Sequence, residues 1–109
     1  MSDPANILIK RDENDHGVYL YSHWGANTIE KTLQDALKRN LRWDDPAYLA
    51  RIIFDEMTKG EQGEEVGFGI SSYLIEGNVI QINVRQQTIK IKDEQWSFQE
   101  YIKLTMYTW

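Results

Sequence analysis

The sequence predicts an α+β fold: an antiparallel sheet of about five strands, two main helices on one face, and a short C-terminal helix. Three observations carry that expectation. Apolar residues alternate with period 2 near both ends of the chain, over residues 7–23 and again over 68–91. Between those runs the period lengthens to 3.6, in two segments with recognisable helix starts. The strands therefore come in groups, in the order ββααβββα, and not in the strand–helix alternation that builds a parallel sheet.

The first hairpin opens with Ile7-Leu8-Ile9, β-branched and apolar, ahead of a turn-rich stretch from Asp12 to Gly17. A second strand from Val18 to His23 puts Val18, Leu20 and Ser22 on one face and Tyr19, Tyr21 and His23 on the other. Gly25 ends it. Asn27 and Glu30 have capping-box spacing, Ile29, Leu33, Ala36 and Leu37 form one stripe, and Asn40 suits a left-handed terminal turn. Asp45 reads as the N-cap of the second helix, with Pro46 at the position where its missing N–H costs nothing. Leu49, Ile52, Ile53 and Met57 make its buried stripe; Arg51, Asp55 and Lys59 face away, and Gly60 supplies the stop.

An acidic, exposed loop from Thr58 to Glu65 follows. Then Phe68, Ile70, Ser72 and Leu74 alternate with Gly69, Ser71 and Tyr73, and Glu76-Gly77-Asn78 reads as a tight turn into Ile80, Ile82 and Val84. Arg85-Gln86-Gln87 turns the chain again, into Ile89 and Ile91. These three strands should form an antiparallel meander with one wet face. Ser97 and Glu100 have capping-box spacing for a final short helix carrying Phe98, Tyr101 and Ile102, although Leu104, Met106 and Trp109 also fit a strand. Ile29, Leu33, Leu37, Leu49, Ile53, Ile80, Ile82, Ile89 and Ile91 are the expected core.

At 109 residues the chain is expected to form a single domain, 1–109. It carries 12 Lys and Arg against 17 Asp and Glu, a net charge of −5, which argues against a grip on phosphate backbones and so against nucleic acid as a partner. The absence of Cys removes disulfides, thiolate zinc sites, iron–sulfur clusters and thiol nucleophiles. No apolar run approaches the ~20 residues needed to span a bilayer. The polar start from Met1 to Asn6 does not resemble a signal peptide, so a cytoplasmic location without a membrane partner is expected. Nothing calls for a cofactor.

The string Tyr19-Leu20-Tyr21-Ser22-His23-Trp24-Gly25, with Trp43-Asp44-Asp45 and Trp96-Ser97-Phe98, resembles a family of small hypothetical proteins of bacteriophages and prophages. The resemblance covers nearly the whole chain and implies a phage or prophage setting; it implies no particular activity. Ala26 departs from it, standing where a second Gly is expected.

His23 at the end of its strand can serve as acid, base or ligand, or can tie down the following loop through its ring N–H. Asp44 is the freer carboxylate at a helix start and offers His23 a partner, while Asp45 is consumed in capping. No metal-ligand spacing supports a metal site. Ser22, Ser71 and Ser72 lack a nucleophile elbow. Arg51 either binds an anion or pairs with Asp55. The Tyr19, Tyr21 and His23 row, with Tyr73 beside it, is the best candidate binding face, since Tyr and Trp give contact area at low entropic cost. His23, Trp24, Trp43 and Arg51 are expected to converge on one rim. The residues thus favour a non-catalytic protein that binds a protein or small-molecule ligand, with a small enzyme using His23 and a carboxylate as the alternative.

Overall fold

The computed structural model describes residues 3–106. The strands β1 (Ala5–Lys10) and β2 (Val18–Ser22) form the expected hairpin, with Ile7 opposite Leu20. The helices α1 (Ile29–Lys38) and α2 (Pro46–Met57) follow. The chain then continues through β3 (Phe68–Ser71), β4 (Asn78–Asn83), β5 (Thr88–Ile91), β6 (Glu94–Ser97) and α3 (Phe98–Tyr101). The fold is α+β, and among the described residues six strands form one sheet in the order β3-β2-β1-β4-β5-β6.

The sheet differs from the expected antiparallel, five-stranded one. The sheet has six strands and is mixed, because β1 and β4 pair in parallel while the other four neighbour pairs are antiparallel. The element order is ββααββββα. The meander fails at its first link: β3 is a sheet edge beside β2, and both β2 and β1 lie between it and β4. Residues 72–77 are consequently a crossover and not a hairpin turn. Burial explains the arrangement. Ile7, Leu8 and Ile9 are all buried, so β1 is covered on both faces and takes the centre, while Ile80 and Ile82 bury the helix-side face of β4 beside it. Phe-Gly-Ile-Ser, with two small residues in four, suits an edge.

The helix ends divide by mechanism. Asp45 Oδ1 accepts from the Ala47 and Tyr48 N–H groups, both at 3.1 Å, and Pro46 opens α2 as expected. Ser97 and Glu100 complete both arms of their capping box, at 2.8 and 3.0 Å. The Asn27–Glu30 box does not form. Thr28 is the N-cap of α1, without a side-chain cap, and a backbone turn takes its place: the Thr28 and Ile29 N–H groups both donate to the Gly25 carbonyl. Asn40 adopts the left-handed conformation, φ 54°, and its N–H donates to the Leu37 carbonyl.

All three helices pack on one face of the sheet. Ile7, Ile9, Leu20, Ile80, Ile82 and Ile89 meet Ile29, Leu33, Leu37, Leu49, Ile53, Phe98 and Tyr101 in a single core. Ile91, expected inside, is only partly buried. Residues 102–106, which follow α3, do not form a strand. Fully buried Gln34 donates from Nε2 to the carbonyls of Tyr101 (3.1 Å) and Leu104 (2.7 Å), tying the tail to α1. Trp109 lies outside the described residues. Arg51 is exposed, and the expected pair with Asp55 is replaced by one across the helices, Arg39 Nη1 to Asp55 at 3.3 Å.

Candidate functional site

The sheet face away from the helices carries Tyr19 and Tyr21 from β2, opposite Leu8 and Asn6 of β1 and opposite Ser71 and Gly69 of β3. This face is not bare. β3 ends beside Tyr19, whereas β4 begins beside Ala5, so residues 72–77 must run back across it. Asn6, fully buried, holds the crossing strand by donating from Nδ2 to the carbonyls of Glu76 (2.6 Å) and Asn78 (3.3 Å). The Glu76 side chain is thereby set over β2, where its Oε1 lies 2.9 Å from the Tyr21 hydroxyl. The same hydroxyl lies 2.8 Å from His23 Nδ1, completing a chain Glu76–Tyr21–His23.

Hydrogen-bond stoichiometry orients that chain. A carboxylate only accepts, and a phenol has one proton to give, so Tyr21 donates to Glu76 and His23 Nδ1 donates to Tyr21. In the neutral ring the lone pair is then on Nε2, and the His23 side chain is 37% exposed. Glu76 Oε1 is itself 3.8 Å from Nδ1, so the phenol mediates the closest link between them. Burial, and then the hydrogen bond and negative charge of Glu76, raise the Tyr21 pKa. Replacing Glu76 by Gln is expected to bring the Tyr21 titration partway back to the ordinary phenol range, because the desolvation remains. Following the Tyr21 ring carbon next to the hydroxyl by NMR against pH checks this; an unmoved titration would show that Glu76 does not act on the phenol.

Trp24 turns to the other side of the strand end. Its ring meets that of His23 edge-on, with centroids 5.0 Å apart. It also lies against Gly67, where a Cβ would sit 2.6 Å from the indole and the backbone φ is +109°. Trp24, Phe68, Met57, Ile29, Thr32 and Glu61 are among the residues around a pocket of about 150 Å³ between β2, β3 and the helices. That volume accommodates a side chain, being well below the ~300 Å³ and upward of small-molecule sites.

The expected convergence of His23, Trp24, Trp43 and Arg51 does not occur. Pro46 and Ala47 line a hollow with Val18 at the start of β2, whereas Met57 lines the pocket with Ser22 and Trp24 at its end. The α2 helix of 12 residues thus runs the length of the sheet, about 18 Å, and separates its own start from the end of β2. Trp43 closes the opposite end of the core: its Nε1–H donates to the Leu37 carbonyl at 3.1 Å, and its ring meets Phe98 edge-on at 5.5 Å. Asp44 is exposed at that same end, beside the α2 N-cap, so it does not serve His23. The carboxylate at His23 is Glu76, which in the sequence looks like a turn residue. Of the candidates, Tyr21, His23 and Trp24 are brought into contact, and Tyr19 shares the outer face of β2 with Tyr21.

Among the described residues no group of three His, Asp or Glu side chains could hold a metal ion, and no helix is long and apolar enough to cross a membrane. Comparison of the chain with protein families, curated proteins and solved structures returns no match.

Proposed function

We propose that this chain is a non-catalytic binding protein of a phage or prophage, working in the host cytoplasm, that recognises a protein through the surface along the β3 edge. One observation carries the reading. Among the described residues, six of the eight large apolar side chains left exposed are Trp24, Val66, Ile70, Tyr73, Leu74 and Ile75, at the β3 edge, its flanks and the crossover. Single exposed apolar residues are ordinary; a concentration of them beside one edge marks a contact surface. The phage setting rests on the resemblance of the Tyr-Leu-Tyr-Ser-His-Trp-Gly string, and a host protein, such as a defence component, is the target class that setting suggests.

A second reading, acid–base catalysis at His23, is favoured by the Glu76–Tyr21–His23 chain. It stands behind the first because His23 lies on an outer sheet face and its carboxylate acts through a phenol. A double substitution of Tyr73 and Leu74 to Ser separates the two. Both side chains are exposed, so the melting temperature should move little. Retention of host protein from lysate should fall at least about tenfold, as when the anchors of an interface are truncated. Equal retention by both proteins, or none by either, would sink the binding reading.

A further inference from the structure

We infer that the outer edge of β3 is a strand-addition site for an extended protein segment that alternates apolar with basic residues. This rests on the binding reading and names its partner. The first ground is main-chain geometry. The His23 N–H donates to the Gly67 carbonyl at 2.8 Å, which fixes the antiparallel alternation. Gly67, Gly69 and Ser71 turn their main-chain groups toward β2, and Phe68 and Ile70 turn theirs outward. Among the described residues β3 is the last strand on that side, so those groups face no described strand of the sheet.

The two edges of the sheet are treated differently. β6 is flanked and occupied by Lys92, Asp93 and Glu94, charges of the kind that deter further pairing. β3 carries no charge and no Pro, and Ile70 on it is 62% exposed. An added strand would direct alternate side chains to the helix face, beside Phe68, where the Trp24–Met57 pocket accommodates one apolar side chain.

Charge selects the occupant. Residues 60–84 contain Glu61, Glu64, Glu65 and Glu76 and no Lys or Arg, and Glu61 is on the pocket wall. A second copy brings the same uncompensated carboxylates and offers no Lys or Arg from this segment to meet them. Lys or Arg in the incoming segment would meet Glu61, Glu64 and Glu65, which lead into the Gly67 end of the strand.

The test uses the full chain and an eight-residue peptide alternating Leu and Lys, fluorescently labelled, with its Lys-to-Glu counterpart as control. The Leu–Lys peptide should bind with an affinity that weakens several-fold as salt rises, and the Glu peptide at least about tenfold more weakly. At saturation, amide exchange should slow at least about tenfold at Phe68 and Ile70 while Gly69, already bonded to β2, is unchanged. Ile70→Pro removes an outward N–H that the fold does not use and should abolish binding. Should that variant misfold, charge reversal of Glu61, Glu64 and Glu65 to Lys, all exposed, should still weaken binding at least about tenfold. No binding up to about 1 mM, binding without protection at Phe68 and Ile70, or self-association through β3 in its place overturns the proposal. Host-protein retention that survives Ile70→Pro overturns strand addition and leaves the binding reading standing; no retention by the unaltered chain removes the binding reading itself.

Discussion

Replacing Phe98 by Ala is expected to lower stability by about 3–5 kcal/mol, the usual cost of truncating a fully buried aromatic side chain. Phe98 is 0% exposed and its ring packs edge-on against Trp43 at 5.5 Å, so the cavity would open where the two rings close one end of the core. The loss should extend beyond the ring. α3 spans only four residues, too few to persist without its packing, and Phe98 is its first. Through α3 runs the tie to α1: the Tyr101 hydroxyl donates to the Glu30 carbonyl at 2.9 Å, and Gln34 reaches the Tyr101 and Leu104 carbonyls. At roughly 4 °C per kcal/mol for a domain near this size, the melting temperature should fall by about 12–20 °C. Phe98→Leu, which keeps most of the volume, should lose less than half as much. A fall under about 5 °C for the Ala variant would mean that this end of the core is not held by the ring.

What the sequence made legible is what local chemistry decides. Asp45 with Pro46, and Ser97 with Glu100, announce helix starts because the capping atoms belong to side chains with fixed spacing. The start of α1 is built by the Gly25 carbonyl, and a backbone acceptor leaves no mark in residue type, so Asn27 and Glu30 mislead. Period-2 alternation states which face a residue takes, and it does so correctly for Leu20 against Tyr19 and Tyr21. It does not state which strand lies alongside, and the parallel β1–β4 pairing joins residues some seventy positions apart that no local pattern links. β6 escaped because Asp93, Glu94 and Gln95 give an edge strand no apolar alternation; only Trp96 points to the core. The site follows the same division. Tyr19, Tyr21 and His23 are visible as one row, but Glu76 joins them only through the crossover, which no local pattern encodes.

That crossover can be broken at a single atom. Gly77 has φ +92°, and a Cβ there would collide with the Pro4 carbonyl and approach the Pro4 Cβ at 3.0 Å. The obstacle is mostly backbone, which cannot swing aside as a flexible side chain would. Gly77→Ala is therefore expected to combine the left-handed penalty of about 1–2 kcal/mol with the displacement of residues 76–78, about 2–4 kcal/mol together. Displacement strips fully buried Asn6 of the Glu76 and Asn78 carbonyls that its Nδ2 serves, and an unpaired buried donor costs about 1–3 kcal/mol of that sum. It also withdraws the Glu76 carboxylate from Tyr21, so the Tyr21 titration should move down as it does for Glu76→Gln. Gly60→Ala is the matched control: its φ of +84° carries the same backbone strain, and a Cβ there meets nothing within 4 Å. A larger fall in melting temperature for Gly77→Ala than for Gly60→Ala, with a shifted Tyr21 titration in the first alone, is the expected result. Equal falls and an unmoved Tyr21 would show that the crossing segment does not depend on Pro4 and Gly77 meeting as they do, and that Glu76 reaches the phenol by its own side-chain freedom.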